Sequence, residues 1–207
     1  MFLIGLTGPT GAGKGALCRY LNTAYGIPSI DADAVYHDLL VPPSPCLDAL
    51  AAEFGAEILC EDRTLDRKKL ASIVFSSEDP SLRAARTKRL NEITHGFVMK
   101  KTAEILDEME KRGERVVIFD APALYEANAD RICSLVVAVL ADRETRISRI
   151  IARDGLSREQ AEMRVRAQHP DTFYTERADA VLYNNGSVSA FDRIAEEFAK
   201  AHLSGVL

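Results

Sequence analysis

The first sixteen residues constrain this chain most, because they join an uncharged apolar run, a glycine-rich turn and the start of a helix. The apolar run is Phe2–Leu6, and Gly8, four further residues, Gly13 and Lys14 match the first seven positions of the P-loop pattern. Glycine is needed because the turn directs backbone N–H groups at phosphate oxygens, and a Cβ would block that approach. The helix N-terminus adds its positive dipole end. We therefore predict a nucleotide phosphate site, with Lys14 reaching the β- and γ-phosphates.

One position departs from the P-loop pattern. The Ser or Thr that usually follows the lysine is Gly15 here, and Ala16 comes next, so the hydroxyl that normally contacts Mg²⁺ is missing. A glycine-rich turn carrying a surface lysine is the alternative interpretation. The apolar run before the turn and the helical sequence after it favour the phosphate site.

Composition limits the classes of protein to which the chain can belong. Its 207 residues carry a formal net charge of −5, which argues against a protein that coats nucleic acid, since such proteins are usually basic. The four cysteines are scattered without zinc-site spacing, which fits a reducing cytosol. The apolar start is too short for a signal peptide, and no stretch reaches transmembrane length. We therefore expect a cytoplasmic enzyme of one domain, whose anionic substrate meets local clusters of arginine and lysine.

Aspartates follow two of the predicted strands. Asp31 and Asp33 come after a very short strand, which Pro28 restricts to a sheet edge because proline cannot donate to the ladder. A buried strand ends in Asp120, as in a Walker B strand whose acid holds Mg²⁺ directly or through water. Ligands of open α/β sheets bind beyond such strand ends. Asp31 or Asp33 could instead simply cap the following helix. Because the phosphate loop belongs to the same sheet, we expect one of the two to be functional.

The order of the predicted elements indicates the fold. Strands are expected near residues 2–6, 27–30, 115–120, 134–140 and 179–183, with helices between them. This order predicts an α/β fold with a doubly wound, parallel five-stranded sheet of the P-loop NTPase type. No strand is expected between Asp31 and Glu114, so that part should form an inserted helical lobe. Its longest stretch, Pro80 to Arg112, predicts two helices or one bent helix with a break at His95-Gly96. On single-residue evidence His95 is more often a packing or capping residue than a ligand.

Arginines gather in the last third of the chain. Arg146, Arg149 and Arg153 share one side of a predicted helix, beside a stripe of isoleucines. They form either a solvated flank, which is the usual outcome, or a bidentate clamp on phosphates. The polar stretch from Asp154 to Gln168 interrupts the sheet pattern and is expected to be a mobile lid.

With these motifs in order, the sequence resembles the dephospho-coenzyme A kinase family over nearly its whole length. The P-loop alone would be unspecific, and the resemblance depends on further motifs in register. They are Gly5 to Gly8, Ile30 to Asp33, Phe54-Gly55, Leu65 to Leu70, Leu90-Asn91 with His95, Pro122 to Glu126, Arg149, Arg153-Asp154, Arg158-Glu159, Gln168, Ala178-Asp179 and Asn184 to Gly186.

The resemblance implies ATP-dependent phosphorylation of the ribose 3′-hydroxyl of dephospho-coenzyme A, the last step of coenzyme A synthesis. It implies ATP as co-substrate and Mg²⁺ as cofactor, no nucleic-acid or membrane partner, and a monomer or weak homo-oligomer. The core would comprise residues 1–33, 114–153 and 178–207. The helical substrate lobe would span about 34–113 and the helical lid about 154–177.

The motifs and the resemblance together assign expected roles to individual residues. The expected catalytic residues are Asp33, Lys14 and Arg149. ATP contacts are expected at Gly11, Ala12, Gly13, Lys14, Gly15, Ala16, Arg149, Asn184, Asn185 and Gly186. Contacts to dephospho-coenzyme A are expected at Asp33, Arg67, His95, Leu124 and Glu126. Asp31 and Asp120 are the expected metal ligands, directly or through water.

The chain departs from the family pattern at a few places. Gly15-Ala16 replaces the usual Ser-Thr, although adenylate-kinase-like enzymes also carry the G-K-G sequence, and Gly96 stands where the family has proline. Two other functions are compatible with the residues. One is a different small-molecule kinase on the same scaffold, such as a nucleoside monophosphate kinase, and the other is a non-catalytic ATP-binding protein, which Gly15 suggests.

Overall fold

The chain forms two compact units, and a five-stranded parallel sheet is the centre of the first, which comprises Met1–Asp31 and Glu110–Leu207. The computed structural model describes the whole chain, residues 1–207. The strands are β1 (Phe2–Thr7), β2 (Ser29–Asp31), β3 (Val116–Asp120), β4 (Leu135–Leu140) and β5 (Ala180–Tyr183). Their order across the sheet is β2-β3-β1-β4-β5, and every neighbouring pair is parallel. The five predicted strands are confirmed, and β2 lies at an edge, as Pro28 indicated.

The main core of this unit lies between the sheet and two helices, α1 (Lys14–Tyr25) and α9 (Val188–His202). The unbroken apolar runs of β1, β3 and β4 are buried because helices cover a parallel sheet. Each leucine or isoleucine buried there contributes about 1.5–3 kcal/mol relative to its exposure. Core side chains include Ile4, Leu6, Leu17, Leu21, Ile118, Val137, Val139, Phe191, Ala195 and Phe198.

Three further helices of this unit follow β4: α6 (Arg143–Asp154), α7 (Arg158–Arg166) and α8 (Asp171–Thr175). A capping box starts α7, in which Ser157 and Gln160 each bond the other's backbone N–H. Packing of α6 against α7 buries Ile147, Ile150, Ala161 and Val165. The segment expected to form the lid is therefore helical, and its first helix shares a small core with α6.

The second compact unit, Ala32–Met109, is entirely helical apart from its loops. It contains α2 (Ala32–Leu39), α3 (Pro45–Phe54), α4 (Arg67–Phe75) and most of α5 (Pro80–Lys111). Ser44 caps α3 by accepting from the Leu47 N–H at 3.2 Å, and Asp66 caps α4 by accepting from the Lys69 N–H at 2.9 Å. Its core includes Leu40, Cys46, Leu47, Leu50, Phe54, Ile58, Leu70 and Val74.

The longest helix, α5, runs without interruption through His95 and Gly96. The break expected there is therefore wrong. A single glycine in a helix costs only about 0.5–1 kcal/mol relative to alanine, which one turn of packed helix offsets. Thr94 and Val98 are buried on either side of Gly96 and anchor the helix through this position.

None of the helices in either unit has the length and apolar character needed to cross a membrane.

Candidate active site

The phosphate loop, residues 8–14, leads from the central strand β1 into α1. Gly8 has φ 138°, and a Cβ placed on it would overlap the carbonyl oxygen of Val139 in β4. Gly13 has φ 97°, and a Cβ there would overlap the side-chain amide of Asn184. These two positions require glycine because other parts of the unit approach the loop backbone closely.

Side chains bond the carbonyls of the phosphate loop and thereby orient its peptide planes. Arg149 Nη1 donates to the carbonyls of Gly11 at 3.4 Å and Ala12 at 3.2 Å. Asn184 Nδ2 also donates to the Ala12 carbonyl, at 3.0 Å, and Arg149 Nη2 donates to Asn184 Oδ1 at 3.1 Å. In a planar trans peptide group the C=O and the N–H point in opposite directions. A side chain that fixes a carbonyl therefore also fixes the direction of the N–H of the next residue. The loop is thus arranged in advance to present N–H groups to an anion.

The first turn of α1 offers positive charge and backbone donors but no hydroxyl. Lys14 Nζ donates to the Gly8 carbonyl at 3.2 Å, so the ammonium group folds back over the loop. Gly15 and Ala16 carry no side-chain oxygen, and the first turn holds no acidic residue. No carboxylate therefore offsets the positive end of the helix dipole, which favours a bound anion.

Two aspartates occupy neighbouring strand ends. Asp31 ends β2 and Asp120 ends β3, and the two are Cα partners in the parallel register. The Cys18 thiol lies 3.9 Å from Asp120 Oδ2, and burial, with the Asp120 charge as the next cause, raises the pKa of Cys18 to about 12. The thiol is therefore protonated at neutral pH and suited to donate to the carboxylate. No group of three or more His, Cys, Asp or Glu side chains is gathered as a metal site.

The turn after β5 is bonded to the phosphate loop and to the start of α6. Asn184 is buried and makes the contacts to the loop given above. Asn185 Oδ1 accepts from the Asp142 N–H at 2.8 Å, just before α6 begins. Gly186 is exposed next to Ala190 of α9. The structure therefore brings Asn184 of the predicted ATP contacts into the same cluster as Gly11, Ala12, Gly13 and Arg149.

The helical unit has a cavity of about 190 Å³ with one cationic wall. Arg67, the first residue of α4, lines it, and Arg67 Nη2 lies 2.9 Å from His37 Nδ1. The remaining lining residues are Tyr36, Leu40, Leu65, Leu70, Ala71, Phe75 and Leu90. Phe75 is 52% exposed although it is a large apolar side chain, so this cavity has an apolar rim open to solvent.

Two other residues that are expected to contact dephospho-coenzyme A also lie in the helical unit. Asp33 is exposed in the first turn of α2, which begins directly after β2. His95 is half-buried near the middle of α5.

The segment after β3 carries the remaining two residues that are expected to contact dephospho-coenzyme A. Leu124 is fully buried, and a Cβ on Gly5 would lie 3.1 Å from its Cδ2, so Leu124 supports the segment from within the core. Glu126 is exposed and its Oε1 lies 3.0 Å from His169 Nε2. The His169 ring stacks on Phe173 of α8 with centroids 3.8 Å apart. Glu126 is therefore held from the segment between α7 and α8.

Comparison with known proteins identifies the family. The family model described as dephospho-CoA kinase matches residues 2–190. The chain belongs to this family. Dephospho-CoA kinase from Corynebacterium glutamicum is 37% identical over 100% of both chains, and that from Halalkalibacterium halodurans is 35% identical over 92% of both. The crystal structure of TT1252 from Thermus thermophilus is 33% identical, has a TM-score of 0.78, and matches 99% of this chain and 98% of its own.

Membership of the dephospho-CoA kinase family decides the class of reaction. The chain is an ATP-dependent phosphotransferase of the last step of coenzyme A biosynthesis. A non-catalytic ATP-binding protein and a nucleoside monophosphate kinase were compatible with the P-loop alone. The match over nearly the full length favours neither of them.

Two features of this dephospho-CoA kinase family member were missed by sequence reasoning. Arg146 was grouped with a flank or clamp of three arginines, yet it is only 5% exposed and its Nε donates to the Thr10 carbonyl at 3.0 Å. No sequence pattern indicates a role for His169, yet its Nε2 lies 3.0 Å from Glu126 Oε1. The first could have been suspected from the placement of Arg146 directly beside the buried Ile147, whereas no local signal marked the second.

Proposed function

We propose that the chain transfers the γ-phosphoryl group of ATP to the ribose 3′-hydroxyl of dephospho-coenzyme A and releases coenzyme A and ADP. The observation that carries this proposal is the phosphate loop, whose carbonyls are bonded by Arg149 and Asn184 so that its amides are arranged for an anion. Family membership supplies the identity of the acceptor.

ATP binds the phosphate loop in this proposal, with its base toward the turn at Asn184. Backbone N–H groups of the loop and of the first turn of α1 bind the phosphates, and Ala16 and Gly15 contribute through their backbone. Lys14 moves its ammonium from the Gly8 carbonyl to the phosphates. Arg149, already at the loop, neutralises charge on the transferring group. Asn185 and Gly186 complete the side of the base.

Mg²⁺ is the proposed metal, and the Asp31–Asp120 pair fits it. The two aspartates are register partners at strand ends, and carboxylate oxygens are ligands that Mg²⁺ prefers. Mg²⁺ usually takes one or two carboxylates and completes its shell with water and substrate phosphates, so a pair suffices. When bound, Mg²⁺ neutralises charge on the β- and γ-phosphates. Gly15 supplies no ligand to it.

Asp33 is the proposed general base for the acceptor hydroxyl. A sugar hydroxyl is a weak nucleophile, and a carboxylate within hydrogen-bond reach orients it and takes its proton as the bond to phosphorus forms. Asp33 stands two residues beyond the end of β2, on the strand-end side where ligands of α/β sheets bind. Its exposure leaves it accessible to a substrate.

The helical unit is the proposed acceptor-binding lobe. Its cavity joins an apolar lining to the guanidinium of Arg67, which suits a ligand that carries phosphate groups and an apolar arm. We assign His95 and Glu126 to acceptor contacts as well, with Leu124 acting through the backbone of its segment. The α7–α8 segment, residues 154–177, is the proposed lid, which would exclude water from the transfer.

The protein is proposed to be cytoplasmic and to be a monomer or weak homo-oligomer. It is proposed to bind neither nucleic acid nor membrane. The net charge of −5 disfavours nucleic-acid binding. Four free cysteines suit a reducing compartment. Size-exclusion chromatography with light scattering at several concentrations measures the oligomeric state.

An acceptor panel tests the proposed reaction. The purified protein is incubated with ATP, Mg²⁺ and one acceptor at a time: dephospho-coenzyme A, AMP, CMP or adenosine. ADP release gives the rate, and ³¹P NMR of the product shows whether a 3′-phosphomonoester has formed. We expect turnover with dephospho-coenzyme A alone. Preferred phosphorylation of AMP or CMP would indicate a nucleoside monophosphate kinase, and ATP binding without turnover of any acceptor would contradict an enzyme.

A further inference from the structure

Two side chains bond the backbone N–H and C=O of Thr10 in the phosphate loop, one from α6 and one from just after α7. The Thr10 carbonyl accepts from Arg146 Nε at 3.0 Å, and the Thr10 N–H donates to Gln168 Oε1 at 3.1 Å. The next residue, Gly11, lies directly on α6, since a Cβ on it would be 2.8 Å from the Arg146 carbonyl oxygen. The loop is therefore fixed at one residue from two sides.

Arg146 is an unusual side chain for such a contact because it is buried and only partly bonded. It is 5% exposed, and its Nη2 is buried without a hydrogen-bond partner. Burial lowers the pKa of the Arg146 guanidinium, and the carboxylate of Asp171 opposes that change. A buried cation with an unpaired donor destabilises a fold, so such a group needs an explanation outside packing.

Gln168 connects the same loop residue to α7. Its side chain accepts from Thr10, while its backbone N–H donates to the Val165 carbonyl in the last turn of α7 at 3.2 Å. Because Val165 belongs to the core shared by α6 and α7, the position of that pair of helices is transmitted to Thr10. Gln168 itself is exposed, so its bond competes with water and should count for less than that of Arg146.

We propose that Arg146 and Gln168 are positioning residues that clasp Thr10 and set the phosphate loop for ATP. The inference rests on the proposed function, in which ATP binds this loop. The carbonyl contact from Arg146 fixes the Thr10–Gly11 peptide plane and so the direction of the Gly11 N–H. A loop held in this way loses less conformational freedom when ATP binds. The buried charge of Arg146 further favours an anion in the loop, since charges interact strongly where water is excluded.

Arg146→Met tests the proposal because methionine fills similar volume but neither donates nor carries charge. We expect the Kd and KM for ATP to rise about tenfold, the loss expected for one hydrogen bond to a charged group. The Kd for dephospho-coenzyme A should stay unchanged. The melting temperature should stay equal or rise, because an apolar side chain replaces a partly bonded buried charge. Arg146→Lys keeps the charge and should recover part of the ATP affinity.

Arg143→Met is the matched control. Arg143 lies one turn earlier on α6, is exposed, and pairs with Glu144 and Glu162 rather than with the loop. Its ATP affinity should equal that of the wild type. Calorimetric titration with ATP and with dephospho-coenzyme A, alongside thermal unfolding, measures all variants.

Gln168→Met and the double variant with Arg146→Met test whether the two residues act on one loop residue. Gln168→Met should raise the ATP Kd by a smaller factor than Arg146→Met. The double variant should lose less affinity than the product of the two single losses, since both act through Thr10. Unchanged ATP affinity in Arg146→Met, an equal loss for both ligands, or fully multiplicative losses would each overturn the clasp. Failure of the wild type to bind ATP would instead refute the proposed function.

Discussion

Arg149 donates a hydrogen bond to Asn184 over 3.1 Å, and both side chains also donate to the carbonyl of Ala12. This triangle joins α6, the turn after β5 and the phosphate loop, which lie far apart in the sequence. Arg149 was expected to act as a clamp on the transferring phosphoryl group. Its contacts give it a second task, which is to hold the loop.

Arg149→Ala should therefore affect both kinetic constants. Loss of charge at the transferring group should lower kcat by about 10²–10³, the usual effect of removing one transition-state donor. Loss of the loop contacts should raise the KM for ATP about tenfold. Asn184→Ala is the matched control, because it removes a loop contact without removing charge, and it should raise KM with a much smaller change in kcat. Steady-state kinetics that show no change in either constant would place Arg149 on a solvated helix flank.

Asp33→Asn should abolish most of the turnover while leaving the fold intact. Asparagine keeps the size and one acceptor oxygen but cannot take the proton of the acceptor hydroxyl, a contribution of about 10²–10⁴ in rate. ATP affinity should be unchanged, and Asp31→Asn should cost less. The measurement is steady-state phosphorylation of dephospho-coenzyme A, with thermal unfolding as the control. Near-normal turnover, or a large fall in melting temperature, would make Asp33 a structural residue rather than a base.

Gly15→Ser should lower the concentration of Mg²⁺ that gives half-maximal rate. The new hydroxyl stands in the first turn of α1, where most phosphate loops offer a metal ligand. Gly15→Ala provides the control, since it also raises helix propensity but adds no oxygen. Initial rates are measured against free Mg²⁺ at saturating ATP. Equal behaviour of the two variants would show that the hydroxyl does not reach the metal, and full wild-type activity in chelator would contradict the proposed role of Mg²⁺.

Gly8→Ala should destabilise the protein severely. The substitution combines φ 138° with a Cβ that overlaps the backbone of β4, which cannot move without breaking the sheet. We expect a loss of more than about 3 kcal/mol in the free energy of unfolding. Gly26→Ala is the comparison, because Gly26 also has positive φ but nothing lies within 4 Å of its Cβ position. It should cost about 1–2 kcal/mol. Similar chemical denaturation curves for the two variants would contradict this account.

The fold could be predicted well because its signals are local. The apolar runs of β3 and β4 are too short and too rich in β-branched residues for helices. The run of β3 ends in Asp120, and the run of β4 is followed after Ala141 by Asp142. The phosphate loop identifies the strand before it and the helix after it. The break expected at Gly96 is wrong because the packing of Thr94 and Val98 outweighs the low helix propensity of one glycine.

The arrangement of the site could be predicted only in part. A phosphate loop is a continuous pattern, so its residues were found. The contact from Arg146 to Thr10 joins positions 136 residues apart, and that from His169 to Glu126 joins positions 43 apart. A polar side chain that bonds a distant backbone carbonyl leaves no periodic signal, and an arginine on a helix is usually solvated. Such contacts become visible only when the fold has brought the elements together.

The first strand of this sequence, β1, lies in the middle of the finished sheet. Its two neighbours begin at Val116 and Leu135, and Asn184, which supports the phosphate loop, is made later still. The nascent chain therefore carries both edges of β1 unpaired until β3 has been made, and such edges favour aggregation. We expect ATP to give the growing chain little help in folding, because the loop that would bind it lacks the Asn184 contact until that residue has emerged. We expect newly made chains to depend on chaperones more than refolded full-length chains do.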